Sequence, residues 1–132
     1  MDAPVPTTAA PEVPVAGLPP QGVGRIVFTH GALPAVATVN YRVLGARILF
    51  RTGVDTVLAR SVRDAVVAFA VDVDGPTTGS GPGWTITVTG RCRALPDPPE
   101  EVRRGLTPWA PGVRDSFHAV DVALVHRARL DG

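Results

Sequence analysis

The feature that most constrains this chain is the stretch at residues 36–62, where two extended runs flank a tight turn at Gly45 and a short helical pattern follows. The second run ends on Arg51 and Thr52, and Thr56 stands where the helix would begin. An arginine fork, a hydroxyl and the free amides of a helix N-terminus can together bind a phosphate group. The stretch therefore predicts the phosphate end of a nucleotide-cofactor site.

The bulk composition indicates one globular domain and argues against several classes of protein. The chain has 132 residues, of which 45% are hydrophobic, and a formal net charge of +1. A nucleic-acid-binding protein would normally carry a basic face, so the balanced charge argues against that class. Cys92 is the one cysteine, so no internal disulfide can form. Because there is neither a bilayer-length apolar run nor a signal-peptide pattern, we expect a cytoplasmic protein without membrane contact.

Proline dominates residues 1–21, which carry six of the prolines. Proline fixes φ and removes a backbone donor, so neither a helix nor a β-ladder forms easily there. The composition predicts a disordered arm, and an extended arm lying across a partner subunit is the alternative. The folded domain is then expected at residues 22–132.

The rest of the chain has the pattern of a small all-β protein. Branched and aromatic residues with period-two alternation predict six strands, at residues 24–29, 33–44, 47–52, 65–71, 84–94 and 117–130. Two short helices are predicted, one from the N-cap Thr56 to Arg63 and one within residues 96–106. Strands joined mostly by hairpins favour a six-stranded antiparallel β-barrel with short α insertions. Because a barrel of this size is filled by its own side chains, a cofactor would lie on an outer face or between subunits.

Several local strings are similar to those of a known family. They are VNYRV at 39–43, LFRTG at 49–53, GW at 83–84, TGR at 89–91 and TPWAPGVRD at 107–115. In order and spacing they resemble the FMN-binding split-barrel proteins related to pyridoxamine 5′-phosphate oxidase, in particular the short actinobacterial-type members. The resemblance covers residues 22–130. It implies a split barrel, a homodimer and non-covalent FMN bound between the two subunits.

The resemblance also implies a set of cofactor-binding residues. One group would face the isoalloxazine ring, one would hold the phosphate, and one would approach from the neighbouring strand and from the partner subunit. In that order the residues are Val39 and Asn40; Arg51, Thr52 and Thr56; and Trp84, Thr85 and Trp109.

Ordinary structural roles are the alternative for several of these residues. Arg51 and Thr52 are also typical of a strand that ends at solvent, and Trp84 is equally typical of core or dimer packing. Trp109, between two prolines, has the character of an interface anchor. No histidine lies at metal-ligand spacing from an acid or a cysteine, so a metal site is not expected.

These observations favour a flavin-dependent oxidoreductase that uses FMN and a small-molecule substrate, with no side chain assignable as a catalytic acid or base. The alternative is a non-catalytic or degenerate split-barrel dimer that binds flavin weakly, or a relative that binds a deazaflavin or another phosphate-bearing ligand. Val57 favours this alternative, because relatives commonly carry lysine or arginine there. The run from Ser116 to Ala119 does so too, because it replaces an aromatic residue and an arginine.

Overall fold

A computed structural model describes residues 7–8, 17–73, 83–106 and 115–129, with the backbone alone for the first pair. Its elements are mainly long strands, with two short helices. They are β1 (Thr7–Thr8), β2 (Gln21–His30), β3 (Leu33–Leu44), β4 (Arg47–Gly53), α1 (Val57–Ser61), β5 (Ala65–Val73), β6 (Trp84–Ala94), α2 (Glu100–Gly105) and β7 (Asp115–Arg129).

Strands β2 to β7 form a closed antiparallel barrel. Around the barrel the order is β2, β3, β4, β7, β6 and β5, and β5 pairs back onto β2. The 15-residue β7 pairs with β4 through its first half and with β6 along nearly its whole length. The predicted six-stranded antiparallel barrel with two short helices is therefore confirmed.

Alternate side chains of every strand fill the barrel, as the two-residue period requires. Tyr41, Phe50 and Phe69 lie at its centre, with Tyr41 and Phe69 packed edge to face at a centroid distance of 5.4 Å. Leu58 of α1 joins this core, as does Leu18, which precedes β2. A second cluster lies outside the barrel wall, where α2 packs on β4 and β7.

The segment just before β2 is fixed to the barrel. The hydroxyl of Tyr41 donates to the carbonyl oxygen of Pro19 at 3.0 Å, and the backbone amide of Val43 donates to that of Pro20 at 2.8 Å. Leu18 is buried. Thr7 and Thr8 pair through their backbone with β7 at Val125 and Leu124. Contacts with the barrel thus extend into the range 1–21 that the sequence assigned to the arm.

Element boundaries differ from the predicted ones by a few residues. The helix after Thr56 ends at Ser61 and not at Arg63. The second helix begins at Glu100 with Pro99 as its N-cap, because a residue that precedes proline is kept out of the helical region. Asp72, one residue beyond the strand predicted at 65–71, belongs to β5.

Gly90 marks an irregularity in the pairing of β6 with β7. The register shifts between Thr89 and Gly90, as at a β-bulge. A Cβ atom on Gly90 would lie 1.8 Å from the carbonyl oxygen of Asp121, so only glycine permits this approach of the two backbones.

Among the described residues, the helices are too short to span a bilayer.

Candidate functional site

A cleft of about 260 Å³ lies between the outer surface of the barrel and α2. Strand β3 and the start of β2 form its floor, and the C-terminal end of α2 forms one wall. Its lining residues are Gln21, Gly22, Asn40, Tyr41, Gly105 and Leu106. Of the seven predicted cofactor-binding residues that the structure describes, Asn40 alone lines this cleft.

Apolar packing places α2 beside the cleft. Val102 and Leu106 are fully or nearly fully buried against Leu49 of β4 and Phe117 of β7. Arg42 of β3 also holds the helix, because its Nη1 donates to the carbonyl oxygen of Glu101 at 3.2 Å. The wall of the cleft is thus fixed to three barrel strands.

Arg51 is a second attachment point between α2 and the barrel. Its Nη1 donates to the carbonyl oxygens of Arg103, at 3.2 Å, and of Leu106. Its Nη2 forms an ion pair with the carboxylate of Asp115, the first residue of β7. The guanidinium also lies 5.0 Å from the centroid of the Phe117 ring. The Arg51 side chain is therefore oriented toward α2 and is already neutralised by a carboxylate.

Thr52 and Thr56 form a separate pair. Their hydroxyl oxygens are 3.2 Å apart, and the Thr56 hydroxyl accepts a hydrogen bond from the backbone amide of Ala59 at 3.0 Å. The predicted N-cap at Thr56 is confirmed. Successive side chains of a strand point to opposite faces, so Thr52 lies on the other side of β4 from Arg51. The structure therefore brings the two threonines together but separates them from the guanidinium.

The two residues predicted to face the flavin ring also lie on opposite sides of β3. Val39 is 4% exposed and its side chain belongs to the barrel core. Asn40 is half-buried and lines the cleft on the outer face. Only the backbone of Val39 can reach a ligand on that face.

Trp84 and Thr85 lie far from the threonine pair. Cys92 of β6 pairs with Ala65, which closely follows α1, and Trp84 is eight residues earlier on the same strand. At the rise of an extended strand this separation is about 26 Å. Thr85 instead donates to Asp72 at 2.8 Å, and Asp72 also pairs with Arg25. Trp109 lies outside the described residues.

A buried polar pair inside the barrel was not predicted. His118 is completely buried, and its Nε2 lies 2.7 Å from the hydroxyl oxygen of Ser116. Burial, with a smaller effect of the nearby positive charge of Arg63, lowers the pKa of His118 to about 4. The two-residue period of β7 indicates that the His118 side chain points inward, because it lies on the same side of the strand as Val120 and Val122.

Asp115 and the α2 wall of the cleft were also missed as site residues. Asp115 is the last residue of the string TPWAPGVRD, one of those that carried the family resemblance. The string drew attention to Asp115 but did not indicate that it pairs with Arg51. Gly105 leaves room for Arg42: a Cβ atom there would lie 2.6 Å from the Arg42 Nη1. Neither contact has a local sequence pattern, because each joins residues that are far apart in the chain.

Comparison with known proteins places the chain in a family. A sequence model described as pyridoxamine 5′-phosphate oxidase matches residues 15–130. The uncharacterized protein Rv0080 of Mycobacterium tuberculosis is 35% identical in an alignment of 112 residues that covers 81% of this chain and 74% of that protein. The FAD-binding protein from Mycobacterium smegmatis is 26% identical with a TM-score of 0.65, over 83% of this chain and 87% of that one.

A further solved structure shows how widely the fold is shared. An FAD-binding protein from Mesorhizobium loti superimposes with a TM-score of 0.62 at 19% identity, over 80% of this chain and 86% of its own. The fold of the described strands is therefore that of flavin-binding split barrels. With a family match across residues 15–130, the chain belongs to the pyridoxamine 5′-phosphate oxidase family.

Proposed function

We propose that the protein is a flavin-dependent oxidoreductase that holds non-covalent FMN in the cleft between β3 and α2 and acts on a small molecule. The observation that carries the proposal is the position of Asn40, a residue predicted to meet the flavin, in a cleft that is also lined by Gln21, Tyr41 and Leu106. Family membership and the FAD-binding relatives support a flavin.

The residues of the cleft fit part of a flavin. A volume of about 260 Å³ is just below the usual lower end for ligand sites, which is roughly 300 Å³. The cleft is therefore suited to a ring system and is too small for a complete flavin nucleotide. Nearby, the Nε atom of Arg51 is buried and has no hydrogen-bond partner among the described residues, so a donor for an acceptor atom is present beside the cleft.

Each part of the site has a role in this proposal. A bound flavin supplies the hydride or electron chemistry. The amide of Asn40 donates to or accepts from the polar edge of the ring, and Leu106 provides an apolar wall that excludes water. Arg51 is proposed to anchor the phosphate without Thr52 and Thr56, whose hydroxyl pair lies on the opposite side of β4.

We further propose that the site is completed by a second copy of the chain. On the outer face of the barrel Val23, Val36 and Val66 are between 54% and 62% exposed. Val23 pairs with Asn40 across β2 and β3, so the Val23 end of this face adjoins the cleft. An exposed apolar surface next to an incomplete ligand site is typical of a subunit interface.

The cofactor carried by the purified protein tests the proposal. The expected result is a flavin absorption spectrum, with FMN as the compound released on denaturation and a dimer in solution. Release of FAD or of a deazaflavin would replace FMN in the proposal. Colourless protein that does not bind any of these compounds would overturn the proposal.

A pair of variants tests the assignment of Asn40. Asn40→Val should shift the absorption maximum of the bound flavin, because the hydrogen bond at the ring edge is lost. Thr38→Val is the matched control, since Thr38 is an exposed residue on the same face of β3 but does not line the cleft. Equal spectra for both variants would remove Asn40 from the site.

One observation favours a second candidate, a non-catalytic split barrel that binds flavin weakly. The guanidinium of Arg51 is already engaged by Asp115 and by two carbonyl oxygens. Losing one charge-assisted contact to a phosphate weakens binding by roughly ten- to a hundredfold. If the protein binds FMN weakly and shows no turnover with electron donors and acceptors, this candidate is supported over the oxidoreductase.

A further inference from the structure

The side edge of the Arg51 guanidinium is only half used. Nε and Nη2 lie side by side on this edge, and their parallel N–H groups match the two oxygens of a carboxylate or a phosphate. Nη1, at the other end, donates to the carbonyl oxygens of Arg103 and Leu106. On the side edge Asp115 contributes one oxygen to Nη2, and the buried Nε has no partner among the described residues.

Two further arginines contact the same helix or the same aromatic ring as Arg51. Arg103 of α2 lies over the same Phe117 ring as Arg51, with its guanidinium carbon 5.4 Å from the centroid. Arg42 of β3 contacts the same helix. Asp115 is the carboxylate that faces Arg51 among the described contacts, and its side chain is 21% exposed against 14% for Arg51. Asp115 is thus the internal counterion of Arg51, and Arg103 lies against the same aromatic ring.

We propose that Asp115 is the specificity-determining residue of this site: its carboxylate holds the place of a phosphate-type anion on Arg51 and is displaced when one binds. This inference rests on the proposed function, because it concerns the anionic tail of the same ligand. A phosphate presents two oxygens to the side edge and satisfies both Nε and Nη2, whereas Asp115 satisfies one of them. The contacts of Nη1 with α2 remain in place.

The charge on Asp115 then sets the preference for ligands that carry a phosphate. Two anions cannot share one guanidinium without repulsion, so an ionised Asp115 weakens the binding of a phosphate-bearing ligand. A ligand without the phosphate makes no contact with Arg51 and is unaffected. Replacing the carboxylate by a neutral amide should therefore improve the binding of the phosphorylated ligand alone.

Riboflavin and FMN provide the test, because they differ by the phosphate alone. The dissociation constants of both are measured by fluorescence quenching for the full chain and for Asp115→Asn. We expect the ratio of FMN to riboflavin affinity to rise by roughly tenfold in Asp115→Asn, as for one charge-assisted contact. Arg51→Gln should bring the two affinities together, and Asp115→Asn should have no effect in that background.

Asp121→Asn is the matched control. Asp121 lies on the same strand, and its carboxylate pairs with Arg47 at 3.2 Å and with Arg93. The variant removes the same charge from the surface of β7 without touching Arg51, so the affinity ratio should not change. Circular dichroism and thermal unfolding check that each variant is folded. Asp115→Ser is a second neutral variant in case the amide disturbs the start of β7.

Inorganic pyrophosphate separates this inference from the proposed function. Its binding is followed by NMR on the Nε–H of Arg51 and the amides of α2, with no flavin present. Tighter pyrophosphate binding in Asp115→Asn supports the inference even if neither flavin binds, in which case only the proposed function has failed. An unchanged FMN-to-riboflavin ratio where flavins bind, or no pyrophosphate contact with Arg51 in Asp115→Asn, would overturn the inference.

Discussion

The imidazole of His118 stacks on the phenyl ring of Phe50 inside the barrel, with the ring centroids 5.2 Å apart and the planes inclined by 18°. The two residues are direct partners in the pairing of β4 with β7. The Nε2 of His118 is hydrogen-bonded to Ser116, and its Nδ1 has no partner among the described residues. A neutral ring suits this surrounding, because a charged imidazolium would be buried next to an aromatic core.

The stability of the protein should therefore fall in mild acid. The pKa of His118 is about 4 in the fold and 6.5 as the ordinary value, so the unfolded chain takes up a proton first as the pH falls. Stability is retained above pH 6.5, declines between 6.5 and about 4, and the His118 contribution then levels off. The total loss is at most roughly 3 kcal/mol. Urea unfolding of the wild type and of His118→Phe across this pH range measures the loss. Parallel plots of the free energy of unfolding against pH for the two proteins would contradict the assignment.

Thr56→Ala should shorten or loosen α1. The hydroxyl of Thr56 accepts from the Ala59 amide, and loss of such a cap costs about 1 kcal/mol. Thr56→Ser is the control, because serine retains the capping oxygen and should stay close to the wild type. Urea denaturation gives the difference. Equal stability of the alanine and serine variants would show that the cap contributes nothing.

Gly90→Ala should be among the most damaging single substitutions in the barrel. The new methyl group would collide with the backbone carbonyl of Asp121, which cannot move aside as a flexible side chain can. We expect a loss of roughly 3 kcal/mol or more in the free energy of unfolding. Gly31→Ala separates this collision from backbone strain: Gly31 has φ of 57° and open space around it, so its cost should be only about 1–2 kcal/mol.

Cys92 should not react with alkylating reagents in the folded protein. Its side chain is fully buried, and burial, with the charges of Asp121 and Asp64, raises the pKa of the thiol to about 12. The reactive thiolate is therefore almost absent at neutral pH. Mass spectrometry after iodoacetamide treatment should detect the modification only when denaturant is present. Rapid labelling of the native protein would contradict the inward orientation of the Cys92 side chain.

Local chemistry in the sequence accounts for much of the fold. The two-residue period of the predicted strand at 84–94 puts Ile86, Val88 and Cys92 on one face, and all three are buried. Thr56 was recognisable as an N-cap because capping depends on neighbouring residues alone. Such features need no knowledge of the rest of the chain.

The arrangement of the site was less accessible, because it depends on contacts between distant residues. Arg51 and Asp115 are 64 positions apart and meet only because β4 pairs with β7. The separation of Arg51 from Thr52 could have been read from the two-residue period, but the closeness of Arg51, Thr52 and Thr56 in the sequence had suggested a single phosphate site. The buried His118 was hidden for another reason: alternation gives its direction, and only the assembled core determines whether a polar side chain is sealed inside.

The position of β7 in the chain determines when the barrel can assemble. It is the last barrel strand to leave the ribosome, yet β4 and β6 both hydrogen-bond to it. Until it arrives, the nascent chain has two open sheet edges that can pair with other nascent chains. The barrel should consequently close only once β7 is available, and slowly, as expected of a topology built on long-range strand pairs, and its yield in cells should depend on chaperones that shield those edges.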